Sequence, residues 1–213
     1  DLIILAARPS MGKTAFALQL AKSAAHNEKA VDVFSLEMSK LKLSTRLILS
    51  NGGIVRQNLE RGKMTEGDWS AYNNSAAELS TLPIYIDDTA KTSTQHISAV
   101  VRTKVRKGEC DMGIVDYLQL AEYDVYGSKS GKSNREQVVA AMSRDLKVTA
   151  KDSNVPMIVL SQLNRGVESR VDKRPQLSDL RESGAIEQDA DIVIMLWRPC
   201  IYDPEATDDH GNS

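Results

Sequence analysis

The apolar run Leu2-Ile3-Ile4-Leu5-Ala6 leads directly into Ala7-Arg8-Pro9-Ser10-Met11-Gly12-Lys13-Thr14, and a helical pattern opens at Thr14. A strand, a glycine-bearing loop and a helix in that order constrain the chain to an α/β fold. The same order is the one a phosphate-binding P-loop needs. Backbone N–H groups of such a loop, with the helix N-terminus, can cradle the phosphates of a nucleotide. Lys13 is placed to reach the β- and γ-phosphates, and the Thr14 hydroxyl to ligate Mg²⁺. Ser10, Met11, Gly12, Lys13, Thr14 and Ala15 are the expected nucleotide-binding residues. One position departs from the pattern G-x-x-x-x-G-K-[ST]: Ala7 stands where the first glycine belongs. Gly12, the glycine beside the phosphates, is kept.

A second Gly-Lys-Ser ends the segment Gly127-Ser128-Lys129-Ser130-Gly131-Lys132-Ser133. Its glycines are three residues apart rather than four, and no strand precedes it. It reads as part of a polar, mobile loop over residues 121 to 133.

Strand and helix patterns alternate along the chain. Phe16, Leu20 and Ala24 are spaced for the buried face of a helix from Thr14 to about Ala25. Val31 to Leu36 reads as a strand, and Lys40 to Asn51 as a helix stopped by Gly52-Gly53. Thr65-Glu66-Gly67-Asp68 resembles a capping box and starts a helix to about Leu82. Ile84 to Asp87 is a strand. Thr94 is expected to cap a helix that Gly108 ends. Met112 to Asp116 is a short buried strand. Val138, Met142, Leu146 and Ala150 mark an amphipathic helix over Asn134 to Ser153. Pro156 to Leu160 is a buried strand, followed by a long basic loop and a final strand over Asp191 to Trp197. Unalternating apolar strands between helices imply a largely parallel central sheet with helices on both faces.

In such sheets ligands bind beyond the carboxyl ends of the strands. Asp116 ends one apolar run and matches the carboxylate that holds Mg²⁺ in P-loop NTPases. The residue after it is Tyr117 rather than a glutamate, so a catalytic base must come from elsewhere. Glu37, just past the second strand, is the candidate. Gln162 ends another strand, where an amide can contact the γ-phosphate and report its loss to the loop that follows. That loop carries Arg165, Arg170, Lys173, Arg174 and Arg181, with Glu182, Ser183 and Gly184; taken alone such charges read as a solvated loop, and the alternative is a grip on a phosphate backbone. Aromatic platforms are scarce, so such a grip would be independent of base sequence. Trp69 and Trp197 read as packing residues.

The formal charge of −2 gives no global attraction to nucleic acid, so any such contact must be local. Cys110 and Cys200 are too few for a disulfide framework and lack metal-ligand spacing, which points to a reducing cytoplasm. No apolar stretch approaches the ~20 residues of a membrane span, so no membrane partner is expected.

Taken together, Ala7 to Thr14, Phe34-Ser35-Leu36-Glu37-Met38, Val115-Asp116-Tyr117-Leu118-Gln119-Leu120, Leu160-Ser161-Gln162-Leu163-Asn164-Arg165 and Asp179 to Asp191 form ordered blocks. These blocks closely resemble the C-terminal motor domain of the bacterial replicative DNA helicase, the DnaB family. The alanine at position 7 is usual in that family. The resemblance spans nearly the whole chain and implies a single RecA-like domain over residues 1 to 213. It also implies a homohexameric ring around single-stranded DNA, nucleotide sites between subunits, and ATP hydrolysis that drives 5′–3′ translocation. Primase and a helicase loader are the implied partners. By motif matching, Lys13 and Thr14 bind phosphate and Mg²⁺, Glu37 is the catalytic base, Asp116 the metal carboxylate and Gln162 the γ-phosphate sensor. Arg181, Glu182 and Gly184 fall on the block that contacts the DNA backbone. The loop of residues 121 to 133 matches another channel-lining segment.

The family's trans-acting arginine finger lies in a basic motif near its C-terminus, and residues 198 to 213 contain no such motif. The family's N-terminal domain and linker helix have no counterpart in these residues. The chain as given is therefore expected to bind nucleotide, to hydrolyse it poorly and not to hold stable rings. Three other readings compete. A RecA-type recombinase or clock-type ATPase would lack the Asp179 to Asp191 block. A nucleotide-gated assembly module would show little catalysis. A small-molecule kinase would need an acceptor site that is not evident.

Overall fold

Apolar strands without alternation need cover on both faces, and the sheet is built accordingly. The computed structural model describes residues 1–89, 92–116 and 135–203. Among them, strands β1 (Leu2–Ala7), β2 (Val31–Ser35), β3 (Ile84–Asp87), β4 (Met112–Asp116), β5 (Met157–Gln162) and β6 (Ile192–Leu196) form one sheet. Its order is β3-β2-β4-β5-β1-β6, and every pairing is parallel. The helices are α1 (Lys13–His26), α2 (Lys40–Asn51), α3 (Arg56–Glu60), α4 (Glu66–Ser80), α5 (Thr94–Arg106), α6 (Arg135–Ser153) and α7 (Gly184–Asp189).

Alternate strand residues serve opposite layers. Leu2, Ile4, Ala6, Val115, Met157 and Val159 share one core with Ile97 and Val101 of α5 and Met142, Leu146 and Ala150 of α6. Leu5, Val33, Ile114, Ile158 and Leu160 form the other with Ala17 and Ala21 of α1. Leu18 of α1 then packs with Leu43 and Leu47 of α2. Connections that run toward β3 thus lie on one side of the sheet and those that run back lie on the other, as right-handed crossovers require.

Local signals set several boundaries. Thr65 caps α4 with a complete capping box: Asp68 N donates to Thr65 Oγ1 at 3.1 Å, and Thr65 N donates to Asp68 Oδ2 at 2.9 Å. The cap of α5 is Ser93 rather than Thr94, its hydroxyl accepting from His96 N at 3.2 Å. Thr94 is instead fully buried, with its hydroxyl 3.4 Å from Asp145 Oδ2. The buried face of α1 is Ala17, Leu18, Ala21 and Ala25, and Phe16 is 38% exposed. A helix laid close on a sheet selects small residues at the contact and turns the bulky ring outward. Trp69 is 48% exposed on α4, edge-on to Tyr72 at 5.9 Å between ring centroids, and not a core residue. The basic loop after β5 contains 3₁₀ turns over Arg165–Ser169 and Leu177–Ser183, and α7. Strand β6 begins one residue late because Asp191 is occupied by β1: its carboxylate accepts from Leu2 N at 2.7 Å, and its own N donates to Leu2 O at 2.9 Å.

Tyr117, the loop of residues 121 to 133 with its Gly127 to Ser133 segment, and residues 204 to 213 lie outside the described residues. Among the described residues no helix is long and apolar enough to cross a membrane.

Among the described glycines, Gly113 is the one where an added Cβ would run into a buried side chain. A Cβ on Gly113 of β4 would lie 2.5 Å from Met157 Sδ, itself fully buried on β5. Gly113→Ala is expected to destabilise the fold by about 1–3 kcal/mol through overpacking. Urea unfolding checks this: the midpoint should fall at an unchanged slope. An unchanged midpoint would mean that Met157 yields freely.

Candidate nucleotide site

The strand ends converge on one edge of the sheet because the register is in phase. Ala7 pairs with Gln162 on one side and Leu196 on the other, and Ser35 pairs with Asp116. The loop between β1 and α1 closes with Phe16 N donating to Gly12 O at 2.9 Å. Gly12 sits at the helix N-cap with φ 95°, in the left-handed region. A Cβ there would meet nothing within 4 Å, so backbone conformation rather than space requires glycine. Ser10 also has a positive φ of 67°. Among the described residues no side chain caps the N-terminus of α1, so its first-turn N–H groups are available to an anion.

A cavity of about 470 Å³ opens over this terminus. Ser10, Gly12, Lys13, Thr14 and Ala15 line it from the loop, Glu37 and Met38 from the β2–α2 turn, Gln162 from β5 and Arg46 from α2. The structure therefore brings together the expected catalytic trio of Glu37, Lys13 and Gln162. Met11 does not line the cavity: its side chain is buried on the far side of the loop, beside Leu163 and Val167. Asp116 lies beneath, only 2% exposed, and is reached through Thr14, whose Oγ1 donates to Asp116 Oδ2 at 2.7 Å.

The other carboxylate oxygen, Asp116 Oδ1, is buried with no hydrogen-bond partner among the described residues. An unmade bond on a buried carboxylate is costly and marks a place where a cation fits. Hard oxygen donors such as this carboxylate and the Thr14 hydroxyl suit Mg²⁺, which takes few protein ligands and completes its shell with phosphates and water. Among the described residues no group of three or more His, Cys, Asp or Glu could hold a metal by itself.

Three contributors were not singled out from sequence. The Ser35 hydroxyl donates to Met38 O at 2.7 Å and accepts from Met38 N at 3.2 Å, closing the turn that presents Glu37. A hydroxyl ending a strand just before a carboxylate is a turn signal that could have found it. Arg46 reaches the cavity from the following helix, and only helical phase could have suggested it. Arg8, inside the loop itself, is only 8% exposed and is bonded to the segment after β5.

Arg181, Glu182 and Gly184 lie where the 3₁₀ turn Leu177–Ser183 meets α7; their backbone is described and their side chains are not. Other cations of that loop are engaged within the fold. Arg170 pairs with the buried Asp179, Lys173 lies over the Tyr202 ring at 4.8 Å, and Arg174 over the Trp197 ring at 4.8 Å.

Burial pushes the Asp116 carboxyl above its ordinary value of 3.8, against the Thr14 hydrogen bond and the nearby Lys13 charge. Burial lowers the Lys13 ammonium from 10.5, against the carboxylates of Asp116 and Glu37. A carboxyl whose folded pKa is raised holds its proton more tightly folded than unfolded. Its ionisation therefore costs stability as pH rises from 3.8 through the folded value. Asp116→Asn is expected to stabilise the nucleotide-free protein near neutral pH, with the advantage fading as pH falls to about 4. Thermal unfolding in EDTA across pH checks this, and an advantage that persists in acid would count against desolvation as the cause.

Residues 1–212 match the family model of the DnaB-like helicase C terminal domain. Replicative DNA helicase DnaC of Bacillus subtilis (strain 168) is 48% identical over 206 residues, 96% of this chain and 44% of the relative. Replicative DNA helicase DnaB of Geobacillus stearothermophilus is 47% identical over 207 residues, 97% of this chain and 45% of the relative. A solved structure of a DnaB-like replicative helicase, studied with its primase interactions, matches with a TM-score of 0.91 at 42% identity, covering 98% of this chain and 50% of that one. The chain thus spans less than half the length of these two curated relatives. Its parallel sheet is the RecA-like α/β fold of such ATPase domains, and the chain belongs to the DnaB-like helicase C-terminal domain family.

Proposed function

We propose that this domain is the ATP-hydrolysing motor of a replicative DNA helicase. The observation that carries the reading is the Thr14–Asp116 hydrogen bond beneath a cavity shared by Lys13, Glu37 and Gln162. Loop N–H groups from Ser10 to Ala15 and the Lys13 ammonium bind the triphosphate and balance charge that develops on its terminal oxygens. Glu37 orients a water toward the γ-phosphorus and accepts its proton as the bond to ADP breaks. Exposure at the cavity edge leaves this carboxylate able to meet that water. Thr14 and Asp116 would hold Mg²⁺, which would offset the negative charge of the phosphates. Gln162, the last residue of β5, contacts the γ-phosphate and registers its departure.

The work done is translocation on single-stranded DNA. The Arg181, Glu182 and Gly184 segment grips the DNA backbone through charge and main-chain N–H groups, a mode that needs no base sequence and tolerates a net charge of −2. Six copies surround the strand, each nucleotide lying between neighbours, and a residue from the next subunit completes the charge balance. Primase and a helicase loader are the proposed protein partners; one structural relative was studied with primase. Movement runs 5′ to 3′.

ATP turnover of the full-length protein is expected to rise with single-stranded DNA and to lose that rise steeply with salt. Absence of stimulation would leave a nucleotide-gated assembly module as the better reading. Glu37→Gln should lower stimulated turnover by about 10²–10⁴-fold while fluorescent nucleotide still binds. Intact turnover in that variant would remove Glu37 from the mechanism.

A further inference from the structure

The loop that holds the nucleotide is tied to the segment that leads to the DNA-facing block, and Arg8 makes the tie. Its guanidinium uses three nitrogens. Nη1 donates to Leu163 O at 2.7 Å, and Nε and Nη2 donate to Glu168 Oε1 at 2.9 and 2.8 Å. Leu163 directly follows Gln162, and its own N donates to Ala7 O at 3.1 Å. The residue after the γ-phosphate-contacting amide is thus held by the P-loop through both its N–H and its C=O.

The segment beyond is internally rigid. Gly166 N donates to Asn164 Oδ1 at 2.6 Å, and Asn164 N donates to Asp179 O at 3.0 Å. Arg170 grips the Asp179 carboxylate with two nitrogens and donates from Nη1 to Arg174 O at 2.9 Å. Gln176 N adds a further bond to Asp179 Oδ2 at 2.6 Å. Leu163, Val167 and Leu180 anchor the unit in the core. Arg181 follows Leu180 directly. A segment bonded this way moves as one body, and Arg8–Glu168 is its charged contact with the P-loop.

We propose that Arg8 and Glu168 are positioning residues that couple the nucleotide state at Gln162 to the DNA-contacting segment at Arg181. The proposal rests on the motor reading of the site. Neither residue reacts with ATP: Arg8 holds the P-loop and the sensor end of β5 in one frame, and Glu168 carries that frame to the segment. Lysine cannot replace Arg8, because one ammonium cannot reproduce a fork shared between a carbonyl and a carboxylate. Arg8 lines the cavity, whereas Glu168 is 47% exposed and outside it, so Glu168 is the member of the pair whose substitution leaves every cavity-lining side chain in place.

The test uses full-length protein and reads turnover without DNA, turnover with saturating single-stranded DNA, and DNA affinity with a non-hydrolysable triphosphate against ADP. In Glu168→Gln, turnover without DNA should stay within about twofold. The DNA stimulation factor, and the ratio of the two DNA affinities, should each shrink by about fivefold or more. Glu168→Asp, which keeps the charge, should recover part of both. Arg8→Lys should lose the same ratio, a second route to the result should one variant fold poorly. Full stimulation and an unchanged affinity ratio in Glu168→Gln would overturn the coupling role. Equal loss of turnover with and without DNA would also overturn it, assigning the pair to the phosphate site alone. A parent protein with no DNA stimulation would instead refute the motor reading itself, so the two failures are distinguishable.

Discussion

Strand β1 is hydrogen-bonded on both sides, to β5 and to β6, and everything at the site depends on that. The loop after it springs from the interior of the sheet rather than from an edge. Slipping the register by one residue would send Leu5 toward α6 and Ile4 toward α1, exchanging the two cores, so burial on both faces holds the pairing in place. With the register held, strand ends do the assembling. Gln162 arrives beside Ala7, and Asp116 arrives beside Ser35, before any loop conformation is specified.

What could be read from sequence follows from how local each signal is. The capping box at Thr65 and the strands Ile84–Asp87 and Met112–Asp116 were legible because a few adjacent residues decide them. So were Glu37, Asp116 and Gln162 as polar residues that end or closely follow apolar runs. The face of α1 was legible only in part: Leu20 and Ala24 pack against the core as their spacing suggests, but Phe16 turns outward while the approach of helix to sheet selects Ala17, Ala21 and Ala25. Ser93 and Thr94 offer the same hydroxyl, and burial among residues from α6 decides which becomes the cap. Arg8 had no local signal at all: Glu168 lies 160 positions away. Strand order was illegible for the same reason.

The charges at the site oppose burial rather than profit from it. Asp116 and Lys13 are each displaced toward their neutral forms by desolvation, and each is the other's partial remedy. Isolated buried ion pairs rarely stabilise a fold. Here the unmet bond on Asp116 Oδ1 is better understood as readiness for a ligand than as structural support. The basic loop makes the converse point. Arg170, Lys173 and Arg174 look like a phosphate-binding patch in one dimension, yet in three they brace the loop against Asp179, Tyr202 and Trp197.

The alanine stripe of α1 has a genetic consequence. Ala17, Ala21 and Ala25 set how closely the helix lies on the sheet, and the helix carries the proposed phosphate-binding terminus at its end. Ala21 is eight residues from Lys13, about 12 Å along the axis at 1.5 Å per residue. An enlarging allele there would lift that terminus and mimic a loss of nucleotide affinity without touching the ligand. Such alleles would be revertible by shrinking a facing residue such as Ile114 or Ile158, whereas lesions at Gly12 or Lys13 have no remote suppressor of that kind.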